Sequence, residues 1–146
     1  MSCVAVIDDS VVVRKIVETS MSRIGVNCLS FRDGYEALRA FHTQLKHPPD
    51  LIFLDINLPR VDGFDLLRLL RSRPEFDQAI VVILSSRDGV LDRVKCRLAG
   101  AHAYLAKPFR TQDLLQLVAT YLPVPEADPR KYDPPASARG AFSSAI

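Results

Sequence analysis

Three carboxylates, a hydroxyl and an ammonium group carry whatever chemistry this 146-residue chain performs. Asp8 and Asp9 follow the apolar run Val4-Ala5-Val6-Ile7, Asp55 follows Leu51-Ile52-Phe53-Leu54, Ser85 follows Ile80-Val81-Val82-Ile83-Leu84, and Lys107 follows a shorter run ending at Ala106. Each polar group therefore stands at the C-terminal end of an apolar stretch. Carboxylates drawn together repel one another, and at least one keeps its proton unless a cation intervenes. A hard divalent cation resolves the conflict: Mg²⁺ prefers oxygen ligands at about 2.0–2.1 Å and keeps several waters, so it suits one or two carboxylates, a backbone carbonyl and phosphate oxygens. With the Lys107 ammonium opposite and the Ser85 hydroxyl as donor, the set describes a cradle for a tetrahedral dianion beside a carboxylate. That is the arrangement for phosphoryl transfer onto Asp55 itself.

The elements that must position these groups follow from the spacing of apolar residues. Leu51 to Leu54 lie between His47-Pro48-Pro49 in front and Pro59 and Gly63 behind, which reads as a short strand buried on both faces, the pattern of a parallel sheet. Cys3 to Ile7, Val26 to Phe31, Ile80 to Leu84 and Ala101 to Ala106 are the other four strands. Between them run five helices. Ser10 caps the first, with Val13, Ile16, Val17 and Ile24 on one face and Gly25 as its stop. Ala37, Leu38, Phe41 and Leu45 mark the second after Asp33-Gly34, and Phe64, Leu66, Leu67, Leu69 and Leu70 the third, which ends before Pro74. Val90, Leu91, Val94, Leu98 and Ala99 mark the fourth, ended by Gly100. Thr111 caps the fifth, whose stripe is Leu114, Leu115, Leu117, Val118, Tyr121 and Leu122. Strand alternating with helix predicts a doubly wound α/β domain with right-handed crossovers, its ligands gathered at the carboxyl ends of the strands.

Composition narrows the classes. A chain with 48% hydrophobic residues and 25% charged ones is long enough for one core, and we expect one domain over residues 1–122. Residues 123–146, with five prolines among Ala, Ser and Gly, predict a flexible tail. A net charge of +2, from 19 basic and 17 acidic residues, lacks the footprint of a nucleic-acid binder. Cys3, Cys28 and Cys96 are odd in number and set among apolar neighbours, so they read as packed thiols of a cytoplasmic protein. His42 and His47 have no partner at metal spacing and read as surface and loop residues. The N-terminus has no basic region before its short apolar run, so no membrane association is expected.

The pattern Asp8-Asp9, Asp55-Ile56-Asn57-Leu58-Pro59 with Asp62-Gly63, Ser85-Ser86, Tyr104 and Lys107-Pro108 resembles the receiver domain of two-component response regulators, in particular the single-domain, chemotaxis-type CheY-like receivers. The similarity covers residues 3 to 122. It implies a flavodoxin-like sheet of strand order 2-1-3-4-5, and it implies that Asp55 takes a phosphoryl group from a sensor histidine kinase or a phosphotransfer protein. By the same resemblance Mg²⁺ is held by Asp9, Asp55 and the main-chain carbonyl of Asn57, with Asp8 acting through a bound water. Lys107 pairs with the phosphoryl group, Ser85 is drawn toward it, and Tyr104 is the switch aromatic that turns inward when Ser85 moves. Pro108 is expected to follow a cis peptide bond. Ser85 stands where Thr is more usual, and Arg87 lies two residues beyond it; we expect Arg87 and Asn57 to tune the lifetime of the phosphoaspartate.

Taken singly, each of these residues has an ordinary counterpart. Asp8-Asp9 could simply begin a helix, Asp62-Gly63 is a turn sequence, Ser85-Ser86 could cap a helix, Lys107 could be a solvated loop charge and Tyr104 a packed sheet aromatic. Together they would have to coincide on one edge of the sheet. The expected activity is thus a phosphoacceptor switch, limited to Mg²⁺-dependent self-phosphorylation from small phosphodonors and to autodephosphorylation. Its output surface would be the fourth helix, fifth strand and fifth helix, including Arg93, Val94, Tyr104 and Gln112, read by a downstream protein or a second copy of the chain. The alternative is a metal-dependent phosphatase or hydrolase with an aspartyl-phosphate intermediate, which wants an acid/base carboxylate where Asn57 stands.

Overall fold

The computed structural model describes residues 2–58, 60–86 and 89–123. The elements run β1 (Cys3–Ile7), α1 (Val11–Arg23), β2 (Asn27–Phe31), α2 (Gly34–Thr43), β3 (Leu51–Asp55), α3 (Gly63–Ser72), a 3₁₀ turn (Pro74–Phe76), β4 (Ile80–Ser85), α4 (Val90–Leu98), β5 (Ala103–Ala106) and α5 (Thr111–Tyr121). The five strands pair in parallel in the order β2-β1-β3-β4-β5, as expected. The expected tail beyond residue 123, together with Pro59 and Arg87, lies outside the described residues.

Alternation along the strands divides the core into two layers. Val4 and Val6 of β1, Leu51 and Phe53 of β3, Val82 and Leu84 of β4 and Leu105 of β5 pack against Val17 and Met21 of α1 and Leu114, Leu117 and Val118 of α5. Ala5, Ile7, Ile52, Leu54, Val81, Ile83 and Tyr104 face the other way, onto α2, α3 and Cys96 of α4. Strand β3 is buried along its whole length, which explains its unbroken apolar run. Burial of a side chain such as Phe53 or Leu54 contributes about 1.5–3 kcal/mol.

The helix starts depend on short polar side chains. The Val13 N–H donates to Ser10 Oγ (3.2 Å), the Glu36 N–H to Asp33 Oδ1 (2.8 Å) and the Phe64 N–H to Asp62 Oδ1 (2.7 Å). At α5 the N-cap position is Arg110 rather than Thr111, and the Arg110 N–H donates back to Asp113 Oδ2 (3.4 Å). Strand β2 begins at Asn27 rather than Val26, and β5 at Ala103 rather than Ala101. In the latter case the Ala101 N–H donates to Cys96 O (3.0 Å), closing α4 over Gly100, whose φ is +105°, before the chain can enter the sheet.

The fourth helix departs most from a simple amphipathic reading. It forms where its apolar residues predict it, yet Val90, Leu91 and Leu98 are 77%, 84% and 78% exposed and Val94 is also exposed. Only Cys96 is fully buried. Two of its three basic side chains lie over aromatic rings instead: Arg93 sits 5.2 Å from the Tyr104 ring centroid, and the Lys95 ammonium 4.1 Å from that of Phe64.

Candidate functional site

Strand register brings the acidic residues together. Ile7 pairs with Leu54, so one step further along both strands Asp8 comes beside Asp55, with both side chains in the phase that faces α1 and α5. Lys107 continues the phase of Leu105 one residue past β5, and its N–H donates to Ser85 O (2.7 Å). The Lys107 ammonium lies 2.6 Å from Asp8 Oδ2 and 3.4 Å from Asp55 Oδ2. Three side chains from three strands therefore meet in one pocket.

The carboxylates are held from behind by backbone donors. Asp8 is fully buried and accepts from the Ser10 N–H (2.9 Å); Asp55, 3% exposed, accepts from the Asn57 N–H (2.9 Å). Arg14, one turn into α1, donates from Nη1 to the carbonyl of Asp8 (2.7 Å). Asp9 is exposed at the rim, but one of its oxygens lies within 4.8 Å of oxygens of both Asp8 and Asp55. Burial pushes the Asp55 carboxyl above its usual range; the Asn57 N–H opposes this, Asp8 adds to it, and Lys107 draws it back. Burial alone would lower Lys107, but its hydrogen bond to Asp8 and the charges of Asp55 and Asp8 hold the ammonium above the usual lysine range.

The donor set fits a hard divalent cation. Oxygens on opposite sides of an octahedral Mg²⁺ are about 4.2 Å apart, so three carboxylate oxygens within 4.8 Å of one another can close on one ion with small side-chain adjustments. Nitrogen and sulfur donors have no part in the cluster. The buried carboxylate pair, with one ammonium against several formal negative charges, gains from added positive charge.

The remaining residues occupy the other phase of the sheet. Ser85 is fully buried at the end of β4, in the phase of Ile83, and Ile83 pairs with Tyr104. Ser85 and Tyr104 are thus diagonal neighbours on one face, a spacing over which a hydroxyl and an aromatic ring can compete for space. Tyr104 is 7% exposed, so its ring is turned inward in this structure, beneath Arg93. The Lys107–Pro108 bond is cis, as expected. Asn57 is exposed at the mouth.

Four residues here were not anticipated. Arg14 could have been found from its position four residues after Ser10, where a helical side chain can reach back over the first turn. Gly63 reads as a turn residue, but a Cβ there would lie 2.6 Å from Ile56 Cα and 2.7 Å from the carbonyl oxygen of Asp55. The backbone behind Asp55 leaves room for a hydrogen atom only. Val11 and Val12, exposed by 69% and 68%, follow the Ser10 cap directly at the start of α1.

The response regulator receiver domain family matches residues 4–119 of the chain. Protein PilG of Pseudomonas aeruginosa is 36% identical over 120 residues, which are 82% of this chain and 87% of that protein. Several other curated relatives, 34–38% identical, are longer proteins of which the chain spans 41–46%. Among solved structures, the chemotaxis response regulator CheY4 of Vibrio cholerae has a TM-score of 0.76 at 26% identity, over 84% of this chain and 99% of that one. The receiver domain of sensor histidine kinase PA1611 from Pseudomonas aeruginosa has a TM-score of 0.72 at 26% identity, over 82% and 96% of the two chains, and holds a magnesium ion in its active site cleft.

Proposed function

Because the chain belongs to the response regulator receiver family, we propose that Asp55 is its phosphoacceptor and that the pocket shared with Asp8, Asp9 and Lys107 makes the transfer possible. The observation that carries this reading is the convergence of Lys107 on Asp8 and Asp55 from separate strands. Asp55 attacks the phosphorus of a phosphohistidine on a sensor kinase or phosphotransfer protein; a P–O bond forms, the P–N bond breaks and the imidazole leaves with the bonding pair. Asp9, Asp55 and the carbonyl of Asn57 would hold Mg²⁺, with Asp8 acting through water, and the ion would supply neutralising charge for the phosphoryl oxygens. Lys107 then pairs with the phosphoryl group, and the exposed Val11 and Val12 border the donor's approach.

The switch runs through Ser85 and Tyr104. A phosphoryl oxygen attracts the Ser85 hydroxyl, which favours the inward ring of Tyr104 seen here over an outward one, and α4 follows through Arg93. The exposed Val90, Leu91, Val94 and Leu98 support α4, β5 and α5 as the surface that a downstream protein or a second copy reads, since contiguous exposed apolar side chains mark interaction sites. Asn57, at the mouth, and Arg87 tune the lifetime of the adduct; equal dephosphorylation half-lives in wild type and Arg87→Ala would remove Arg87 from that role. No described helix is long and apolar enough to cross a membrane, and we place the protein in the cytoplasm with its kinase.

Incubating the protein with Mg²⁺ and a small acyl phosphate while following intact mass tests the proposal. One added phosphoryl group on wild type, absent without Mg²⁺ and absent in Asp55→Asn, is expected. Steady turnover of assorted phosphoesters without an adduct would overturn it in favour of the hydrolase, which the Asn57 position already disfavours.

A further inference from the structure

A second concave site lies at the opposite edge of the sheet from Asp55, the full length of β3 away. It is a cavity of about 280 Å³ between the C-terminal half of α2, the segment 44–50 that leads into β3, and the 3₁₀ turn after α3. Its floor is apolar. Phe76 is buried, Leu38 and Phe41 are half-buried, and the Phe41 ring lies 5.7 Å from Phe76 at 52° while its other neighbour, Phe31, meets it edge-on at 5.5 Å. The polar lining is Lys46 and Arg73, which bring two cations, and the imidazoles of His42 and His47, against a single carboxylate, Glu75.

None of these five rim side chains makes a hydrogen bond or ion pair with another described residue, although salt bridges form readily elsewhere on the surface, as between Arg32 and Glu36. Unpaired cations above an aromatic floor are complementary to a molecule with an apolar ring at one end and negative charge at the other. A guanidinium favours the planar, two-oxygen geometry of a carboxylate, and an ammonium adds a point charge beside it. The volume sets the size, because sites for drug-sized ligands start at about 300 Å³. A one- or two-ring acid fits that bound, whereas a dinucleotide or a folded peptide segment exceeds it.

We propose that this cavity binds a small aromatic carboxylate, its ring against Phe41 and Phe76 and its carboxylate held by Arg73 and Lys46. The site shares no residue with the acidic pocket, so its occupancy is independent of the reading of Asp55.

The test is a titration of the ¹⁵N-labelled full chain with 2-naphthoate, followed by amide chemical shifts, with 2-naphthamide as a neutral molecule of the same shape. Saturable shifts at Leu38, Phe41, Arg73 and Phe76 are expected, with affinity at least tenfold weaker for the amide. The variant Lys46→Gln/Arg73→Gln is expected to lose affinity for the acid by a similar factor while its affinity for the amide stays unchanged. Equal affinity for acid and amide on the wild-type chain would overturn the proposal without recourse to a variant. So would shifts confined to the exposed face of α4 or to Lys107, or shifts that never saturate.

Discussion

Asp55 is held in a form that costs the unliganded fold stability. Its carboxyl is raised above the ordinary 3.8 by burial first and by Asp8 in addition, so folding shifts it toward the protonated form relative to the unfolded chain. A raised carboxyl contributes stability below the unfolded value, and that contribution is lost as pH rises through the folded value. At neutral pH without divalent ions, Asp55→Asn removes the buried charge while its amide oxygen still accepts from the Asn57 N–H. We predict that the variant melts about 3–6 °C above wild type, the shift made by roughly 1 kcal/mol in a domain of this size, and that the gap narrows as pH is lowered toward 4. Calorimetry across pH checks both parts. A wild type that melts higher at neutral pH would show that the Lys107 contact outweighs burial. The identity of these residues was plain in the sequence, since each ends an apolar run. Arg14 and the closeness of Gly63 to the main chain were not, because both depend on where one backbone passes another.

Elements were readable where two signals agreed. The β-branched run of β4 and the all-apolar run of β3 are bounded by turn residues, and Ser10, Asp33 and Asp62 stand at helix starts where their side chains accept from the first turn. Ends set by tertiary contacts were less accessible. The start of β5 is one: the His102 N–H donates to Val81 O (2.8 Å) and the Val81 N–H donates to His102 Nδ1 (3.1 Å), so a side chain takes the place of a strand partner. The Tyr121 hydroxyl donates to His102 O (3.1 Å), which ties the end of α5 to the same point. Burial and the nearby Arg71 guanidinium lower the imidazole from its ordinary 6.5, and Nδ1 cannot accept once protonated. A lowered base contributes stability above the unfolded value and loses it as pH falls toward the folded one. Wild type should therefore lose stability below about pH 6.5 relative to His102→Ala, which at pH 8 is itself weaker by about 1 kcal/mol from the unpaired Val81 N–H. Denaturant unfolding at the two pH values measures the difference; a gap independent of pH would contradict it.

The β3–α3 connection is packed closely against the main chain at Gly63. Gly63→Ala places a methyl group 2.6 Å from Ile56 Cα, and backbone must move to admit it. The expected cost is about 1–3 kcal/mol, with slower phosphorylation by small donors because Asn57 and Asp55 shift together. Unchanged stability and rate would show that the loop is looser than this packing implies.

At the scale of the whole molecule, the sheet separates two sets of polar groups by its two phases. Asp8, Asp55 and Lys107 face one layer, while Ser85 and Tyr104 face the other, beneath α4. Charge added on one side can therefore alter a surface on the other through the common ends of β4 and β5. The exposure of α4 could not be read from its period, because a helical stripe shows that one face is apolar but not whether another layer covers it. Replacing Leu91, 84% exposed, with Ser should change stability by no more than about 0.5 kcal/mol and leave phosphorylation intact, while abolishing phosphorylation-dependent self-association or capture of the cognate target. Sedimentation with and without phosphodonor checks the first outcome; association that survives the substitution would move the output surface elsewhere.

Three strands bring their end groups to one pocket, where we propose that a divalent cation and the Asp55 carboxylate cooperate. A Mg²⁺ titration of the ¹⁵N-labelled protein tests it most directly. Saturable shifts confined to the amides of Asp9, Ser10, Ile56, Asn57 and Lys107, and lost in Asp9→Ala, are predicted. Shifts scattered over the acidic surface, or none at millimolar Mg²⁺, would contradict it.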